Sequence, residues 1–296
     1  MTLTCTARQM STAEFNKFRD LIYKECRIAL RPHKKMLVMN RLAKRLRELG
    51  FNTYTEYFDY VTSTQGRQEE LARMVDAITT NTTQFFRESK QFEFLDQYLW
   101  PQLLQVNSVQ LSIPIKIWSS ACSTGEEPYT IGISASEFFS RSPGRTVVIL
   151  ASDISDTALS TARAGIYPED KVSGIPLTLL HKYFLKGNER VKVKPELQRL
   201  VKFDKINLND SFHRRLKDFD IVFCRNVIIY FDRQTQEELM LKYYEVLRPG
   251  GYLFLGHSET LHGMATDFQF IMASVYRKPT GAEICGAKTG EPYGVR

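Results

Sequence analysis

The chain has 296 residues, of which 43% are hydrophobic and 25% charged, and this length exceeds the usual size of one domain. We therefore expect an α/β core with a smaller domain attached to it. The longest apolar runs are too short to cross a bilayer, and the first ten residues include polar side chains where a secretory signal needs an apolar stretch. Both features argue against membrane insertion or export and predict a cytoplasmic protein.

The net charge of +7 is concentrated near the N-terminus. The segment Arg19–Arg47 holds ten Lys or Arg residues against Asp20 and Glu25, a net charge of +8, so the rest of the chain is close to neutral. We expect an acidic partner to contact this basic segment, although most charge runs are only solvated faces. The five cysteines are scattered, without a Cys-x-x-Cys pair or a histidine cluster, which predicts free thiols and no metal site.

Residues 1–80 are predicted to form a small all-helical domain, because apolar residues recur at helical spacing from Thr12 to about Met74. The polar run Thr79–Thr83 has poor helix propensity, and we place the domain junction there. The second domain is expected to span residues 81–278, followed by a disordered tail at 279–296.

After a predicted helix over Gln91–Leu104, short β-rich runs alternate with helical segments. The predicted strands are Ile115–Ser119, Val147–Ala151, Leu200–Phe203, Ile221–Cys224 and Tyr252–Leu255. The predicted helices between them are Glu127–Phe139, Asp156–Ala164 and Arg233–Leu247, the last ending at the breaker sequence Arg248–Gly251. This alternation is typical of an α/β fold with a parallel sheet and crossover helices.

The stretch Gly165–Leu200 is longer than a simple connection requires. Within it, Arg190–Lys194 alternates polar with apolar residues, so we predict an inserted helix and then a small antiparallel hairpin whose second arm leads into Leu200–Phe203. The insertion, about residues 166–203, would form a small β subdomain.

The segment Ser119–Pro128 supplies small residues in a tight turn that follows the first predicted strand and opens a helix. It contains one glycine, and Glu126 and Glu127 stand at the helix start. Two carboxylates there repel a pyrophosphate and attract a cation, so an ammonium or sulfonium fits this turn better than NAD. Alternatively, the two glutamates only favour the helix N-terminus through its dipole.

Three later positions have the residue types of a nucleoside and substrate site. Asp153 ends the second predicted strand, where an acidic residue accepts hydrogen bonds from ribose hydroxyls, although a helix cap is the alternative. Asn207 and Leu208 follow the third strand, where an adenine contact is expected, although a loop Asn is ordinarily a turn residue. Cys224–Asp232 follows the fourth strand at the substrate-facing edge, and for Tyr230 the alternative is a buried core aromatic.

Five motifs, in their order along the chain, resemble the chemotaxis receptor methyltransferases, the CheR family. They are Asn81–Arg87, Ser120–Pro128, Ala151–Ser155, Cys224–Phe231 and Gly256–Glu259, and the resemblance extends from about Phe15 to Lys278. It implies an N-terminal all-helical domain, a Rossmann-like S-adenosylmethionine-dependent methyltransferase sheet whose last strand is antiparallel, and a small inserted antiparallel β subdomain. It also implies methyl transfer from S-adenosylmethionine to glutamates on the cytoplasmic helices of methyl-accepting chemoreceptors, with S-adenosylhomocysteine as product.

The resemblance further implies roles for individual residues. The implied cofactor contacts are Asn81, Thr83, Arg87, Ala121, Glu127, Asp153, Asn207, Leu208, Arg225 and Asn226. Arg87 and Tyr230 are the implied catalytic pair on the substrate side, so Arg87 has two assignments. A glutamate carboxylate is ionised near pH 7 and attacks a sulfonium methyl without a general base, which leaves alignment as the main task of these residues. We leave Glu126 with the helix terminus.

In this interpretation the basic segment docks on the acidic helical bundle of the receptor, through Arg41, Lys44, Arg45 and Arg47 among others. We expect a monomer, no metal and no nucleic acid partner. The hairpin loop Gly187–Arg190 is shorter than in family members that bind a receptor's C-terminal pentapeptide, so we predict an enzyme that does not need this tether.

Two other functions stay open at the level of the sequence. A nucleic-acid methyltransferase would use the basic segment for phosphates, although an Asn/Asp-Pro-Pro-aromatic signature is missing and no aromatics interleave the basic run. A non-catalytic adaptor would keep the fold and bind receptors only, and the intact Arg87, Asp153 and Tyr230 argue against it.

Overall fold

The computed structural model describes residues 9–105, 113–141 and 145–280. Its first part is helical, as predicted, with α1 (Thr12–Cys26), α2 (Lys35–Leu49), α3 (Tyr54–Thr62), α4 (Thr64–Glu69) and α5 (Leu71–Ile78). Capping boxes start α1 at Ser11 and α3 at Thr53. In each, the hydroxyl accepts the N–H of a glutamate three residues later, and that glutamate's carboxylate accepts the N–H of the cap residue.

The helical part has an apolar core of its own, built around buried aromatic side chains such as Phe18 and Tyr57. One charged group lies inside it. Glu70 is 2% exposed, and its carboxylate accepts hydrogen bonds from the Arg45 guanidinium at 2.6 and 2.8 Å and from the Tyr57 hydroxyl at 2.8 Å. Because a buried carboxylate without partners is costly, Arg45 is directed toward the interior of the helical part.

A continuous helical segment follows the junction. It comprises α6 (Ser89–Phe94), a π-helical turn at Leu95–Leu99 and α7 (Trp100–Leu104), so the predicted helix over Gln91–Leu104 is confirmed. Trp100 is fully buried and donates its indole N–H to Ser134, which attaches this segment to the sheet domain.

The sheet domain is built on seven strands in the order β6-β2-β1-β7-β8-β10-β9. The strands are β1 (Ile115–Ser119), β2 (Val147–Asp153), β6 (Val201–Lys205), β7 (Phe219–Cys224), β8 (Leu247–Leu255), β9 (Gln269–Met272) and β10 (Val275–Arg277). The run from β6 to β8 is parallel, whereas β10 is antiparallel to both of its neighbours. Helices α8 (Glu126–Phe139), α9 (Asp156–Ala164) and α12 (Arg233–Val246) connect parallel strands. The predicted Rossmann-like α/β fold is confirmed.

The insertion between α9 and β6 forms a second, antiparallel sheet in the order β3-β5-β4. It contains β3 (Ile166–Pro168), α10 (Leu177–Tyr183), β4 (Phe184–Lys186), β5 (Arg190–Val193) and the short helix α11 (Pro195–Gln198). The predicted helix and hairpin are confirmed, but two details are wrong. The sheet has a third strand, β3, whose three residues are too few to show a period. In addition, α11 separates the hairpin from β6, because Pro195 suits the first turn of a helix.

The predicted end of the last helix is also wrong in one respect. Arg248–Gly251 belongs to β8 and does not form a connection, because α12 leads directly into the strand at Leu247. Leu247 pairs with Phe219, and the register shifts before Tyr252 pairs with Ile221. Gly250 has a φ of 80°, which favours glycine, so this residue allows the irregularity within the strand.

Within the described ranges, no helix combines the length and apolarity needed to span a membrane. The same ranges hold no group of three His, Cys, Asp or Glu side chains that could bind a metal ion. Cys26, Cys122 and Cys224 are buried free thiols. Cys5, Cys285 and the predicted disordered tail, apart from Pro279 and Thr280, lie outside the described residues.

Candidate functional site

A cavity of about 440 Å³ lies where the carboxyl ends of the parallel strands meet the helical part of the chain. This is the edge at which open α/β sheets bind ligands, and the volume is that of a small-molecule site. All the residues assigned to cofactor or catalysis from the sequence line it: Asn81, Thr83, Arg87, Ala121, Glu127, Asp153, Asn207, Leu208, Arg225, Asn226 and Tyr230. The fold thus brings five separate segments of the chain to one site.

The turn after β1 is held against the end of β2. Cys122 donates its N–H to the Ser152 carbonyl at 2.8 Å, and Ser123 donates its N–H to the Asp153 carboxylate, also at 2.8 Å. Gly125 has a φ of 97°, and a Cβ there would lie 2.9 Å from the Tyr167 hydroxyl. Only glycine fits this position, and the tight turn leaves Ala121 lining the cavity.

The two glutamates of this turn have different surroundings. Glu126 is 1% exposed, accepts a hydrogen bond from the Thr124 hydroxyl at 2.6 Å and is absent from the cavity lining. Glu127 lines the cavity, accepts a hydrogen bond from the Ser119 hydroxyl at 2.7 Å and pairs with Arg225 at 3.3 Å. Burial raises the pKa of both carboxyls. Glu127 is therefore the carboxylate that a ligand in the cavity meets.

Asp153 joins the turn after β1 to the start of α9. It is 8% exposed, and its two oxygens accept the N–H groups of Ser123 at 2.8 Å and Ser155 at 3.0 Å. The residue that caps α9 is Ser155, whose hydroxyl accepts the N–H of Ala158. A carboxylate has about four acceptor positions, so Asp153 retains capacity for a ligand. Burial raises its pKa, although these N–H donors act in the opposite direction.

Asn207 uses both ends of its side chain within the protein. Its amide N–H donates to the Glu25 carbonyl at 2.7 Å, and its amide oxygen accepts the N–H of Asn209 at 3.0 Å. The turn role weighed for this residue is thus present, and the same side chain also attaches the end of α1 to the loop after β6. One amide N–H and one lone pair of Asn207 remain, and the residue lines the cavity, so its contact with the adenine stays a prediction.

Arg225 lies between two carboxylates, and only 2% of its side chain is exposed. It pairs with Glu88 at 3.1 Å and with Glu127 at 3.3 Å, and it donates to the Arg87 carbonyl. Its Nε has no hydrogen-bond partner among the described residues. Burial favours neutral Glu88, but Arg225 and the His257 N–H outweigh this and lower the pKa of Glu88. With both carboxylates ionised, the Glu88–Arg225–Glu127 cluster has one more negative than positive charge.

Arg87 and Tyr230 lie on the cavity with partly exposed side chains. Arg87 donates one hydrogen bond, to the Thr82 carbonyl at 3.1 Å. The Tyr230 carbonyl accepts the N–H of Ala29 at 2.8 Å, whereas its hydroxyl has no hydrogen-bond partner in the part of the chain that the structure describes. Tyr230 is thus not a buried core aromatic, and its neighbour Ile229 is 52% exposed.

Two contributions to this site could not be predicted from the sequence. The end of α1 and its connection to α2 close one side of the cavity with Cys26, Ile28, Ala29, Leu30 and His33. Ile28 forms an isolated antiparallel bridge with Phe231, so the helical part contacts the loop after β7 directly. Glu88 follows a predicted motif but its pairing with Arg225 spans a long stretch of sequence, and no local pattern predicts such a contact.

Comparison with known protein families identifies the family to which this chain belongs. Residues 81–277 match the family described as CheR methyltransferase, SAM binding domain, and residues 13–79 match CheR methyltransferase, all-alpha domain. The chain belongs to the CheR methyltransferase family. It is an S-adenosylmethionine-dependent methyltransferase.

Three curated relatives of this family are named chemotaxis protein methyltransferases. The protein of Borreliella burgdorferi is 39% identical over 90% of this chain and 94% of its own length. Chemotaxis protein methyltransferase 1 of Pseudomonas aeruginosa is 38% identical over 90% and 98%. The protein of Salmonella typhimurium is 36% identical over 90% of each chain. Both CheR domains of this chain are thus represented in relatives of similar length.

The cavity suits S-adenosylmethionine on its own chemistry. A sulfonium is cationic, and Glu127 presents a carboxylate on the cavity wall. Asp153 has acceptor capacity for hydroxyls, and the buried Nε of Arg225 is a donor without a partner in the described residues. The small residues of the turn after β1 allow close approach of a ligand to the backbone.

The four cations predicted for docking in this CheR chain differ in what they contact. Arg41 donates to the carbonyls of Ile78 and Thr79, at the domain junction, and Arg45 is paired with Glu70. Lys44 is 74% exposed, with a loose pair to Glu48 at 3.8 Å, and Arg47 is exposed. Arg41 and Arg45 thus have partners within the chain and Lys44 and Arg47 face outward, and docking on a receptor stays a prediction for all four.

Proposed function

We propose that this enzyme transfers the methyl group of S-adenosylmethionine to glutamate side chains on the cytoplasmic helices of methyl-accepting chemoreceptors, forming glutamyl methyl esters. The observation that carries the proposal is that the Glu127 carboxylate, Arg87 and Tyr230 all line one cavity. The names of the relatives support an action in chemotaxis. The enzyme works in the cytoplasm as a monomer.

The chemistry asks for alignment more than for proton transfer. S-adenosylmethionine supplies an electrophilic methyl group on a sulfonium, and a glutamate carboxylate is already ionised near pH 7. Arg87 holds that carboxylate by a directional fork, and the Tyr230 hydroxyl donates to it and sets its approach. Because the nucleophile is already ionised, the reaction needs no general base. Holding the reactants in line can lower the activation barrier by several kcal/mol.

Receptor binding is assigned to the outer face of α2. The methylated helices of chemoreceptors are acidic, and the basic segment Arg19–Arg47 has the complementary charge. Lys44 and Arg47 are its outward-facing members among the predicted docking residues. The segment also includes Arg31 and Lys34, which line the cavity itself, so the basic face continues up to the methyl-transfer site.

We also propose that no C-terminal pentapeptide tether is needed. Residues 187–189 alone join β4 to β5, and the Gly187 N–H donates to the Arg190 carbonyl at 2.8 Å, which makes the hairpin end compact. In a titration with such a pentapeptide we expect no binding at micromolar concentrations. Micromolar affinity would contradict this part of the proposal and leave the rest intact.

The reaction is tested by incubating the enzyme with S-adenosylmethionine labelled in its methyl group and with receptor fragments. We expect label that is released by mild base, because carboxyl esters hydrolyse readily whereas N-methyl groups do not. Tyr230→Phe should lower kcat by about a hundredfold, the effect typical of one lost donor, with Tyr98→Phe, an exposed tyrosine on α6–α7, as control. Base-stable label, label in nucleic acid, or no label with any receptor fragment would each contradict the proposal.

A further inference from the structure

The motif Gly256–Glu259 follows β8, and none of its residues is among those that line the cavity. Its last member, Glu259, is only 4% exposed. A buried carboxylate is costly unless hydrogen bonds compensate for lost water. The partners of Glu259 therefore indicate what the motif does.

Both oxygens of Glu259 accept main-chain hydrogen bonds, and two of the three donors belong to the loop after β7. Oε2 accepts the N–H groups of Gly256 at 2.6 Å and Asn226 at 2.9 Å, and Oε1 accepts the N–H of Ile228 at 2.9 Å. Asn226 has a φ of 58°, a left-handed conformation that is uncommon for residues other than glycine. Glu259 thus fixes the backbone between Arg225 and Tyr230.

Gly256, directly after β8, packs closely against the hydrogen bond between Asn226 and Glu259. A Cβ on Gly256 would lie 2.8 Å from the Asn226 nitrogen and 2.9 Å from Glu259 Oε2, so there is no room for a side chain. Glu88 adds a second bridge, because its Oε1 accepts the Asn226 side-chain amide and the His257 N–H, each at 3.2 Å. The loops after β7 and β8 are therefore held as one unit.

We propose that Glu259 is a positioning residue for methyl transfer, which holds the loop Arg225–Tyr230 so that its side chains meet the cofactor and the substrate carboxylate in line. The inference rests on the proposed role of Tyr230 at the substrate. It follows from the chemistry, since a reaction that depends on alignment loses rate when a group moves by about 1 Å. Glu259 touches neither reactant and acts only through the loop.

The test begins with Glu259→Gln, which keeps the shape but turns an amide NH₂ toward a main-chain N–H. An unpaired donor is costly, so the loop should shift. The displaced side chains should then lower kcat about tenfold to a hundredfold. The matched control is Glu196→Gln, an exposed glutamate on α11, which should keep full activity. Thermal unfolding establishes that both variants are folded. An unchanged kcat in folded Glu259→Gln would overturn the proposal.

A double-mutant cycle separates positioning from general stability. If Glu259 acts through Tyr230, then Glu259→Gln should cost about tenfold less in kcat when Tyr230→Phe is already present. Losses that simply multiply would mean a structural role and would overturn the proposal. If Glu259→Gln does not fold, Gly256→Ala disturbs the same contact and replaces it in the cycle.

The proposed role of Tyr230 and the positioning role of Glu259 can be tested separately. Full activity of Tyr230→Phe would contradict the role of that hydroxyl while methyl transfer itself persists. The affinity of Glu259→Gln for S-adenosylhomocysteine then decides, since the same loop carries Arg225. Affinity about tenfold weaker than in Glu196→Gln would support positioning, and equal affinity would overturn it.

Discussion

The loops after β1 and after β7 both line the cavity, but they are stabilised in different ways. The turn after β1 is held by its neighbour in the sheet, through Ser152 and Asp153, and it runs straight into α8. The loop after β7 is held by Glu88, Glu259 and Ala29, from three distant parts of the chain. The first loop is held mainly by the neighbouring strand β2, whereas the second takes its shape from segments that are distant along the chain.

The largest effect should come from breaking the second loop at Arg225. In Arg225→Ala, Glu88 and Glu127 remain buried without their cation, and removing one partner of a buried pair typically costs about 3–5 kcal/mol. We expect the free energy of unfolding in urea to fall by this amount and S-adenosylmethionine binding to be lost. The exposed Arg199→Ala is the control and should leave both unchanged.

A second substitution identifies the cause of that loss. Adding Glu88→Gln to Arg225→Ala removes one of the two unpaired carboxylates, so it should recover part of the lost stability. If the double variant is less stable than Arg225→Ala by the full cost of a second independent loss, then the unpaired charge is not the cause. The contrast drawn between the two loops would then be wrong.

The difference between contacts near in sequence and contacts distant in sequence also explains which features could be predicted from the sequence. The strand Ile115–Ser119 and the helix Asp156–Ala164 are confirmed at both ends, because buried runs and caps are local signals. The two glutamates of the first turn stand at the same helix start, so only the family resemblance separated Glu127 from Glu126. In contrast, the Glu88–Arg225 pair and the lining by the α1–α2 connection depend on tertiary contacts that no local pattern encodes, and β3 is too short to show a period.

An intermediate effect is expected from pH, and it distinguishes Glu127 and Asp153 from Glu88. Burial raises the pKa of Glu127 above 4.5 and of Asp153 above 3.8, whereas Arg225 and the His257 N–H lower that of Glu88 despite its burial. As the pH falls below neutral, Glu127 and Asp153 should take up protons first. They then lose negative charge and acceptor capacity while Glu88 stays ionised.

S-adenosylmethionine affinity should therefore weaken as the pH falls through the raised pKa of Glu127, by roughly tenfold for each unit below it. Glu127→Gln should bind weakly at all pH values, with a flatter dependence measured by calorimetry. Stability should behave oppositely, because a carboxyl whose pKa is higher in the folded state binds protons preferentially there and stabilises the fold as the pH falls. An unfolding midpoint that drops together with affinity would attribute the loss to unfolding instead.

The smallest effects should come from the helical part, where the contrast between buried and exposed charges recurs within one helix. Arg45 is fixed by Glu70, whereas Lys44 and Arg47 are exposed and should act on the receptor alone. An exposed charge pair contributes about 0.2–1 kcal/mol, so Lys44→Ala and Arg47→Ala should each raise the KM for a receptor fragment by roughly two- to fivefold. These increases should shrink at high salt, and kcat and stability should not change. The exposed Lys217→Ala, on the loop before β7, is the matched control; an equal rise in KM there would mean that the overall charge of the enzyme, not the face of α2, attracts the receptor.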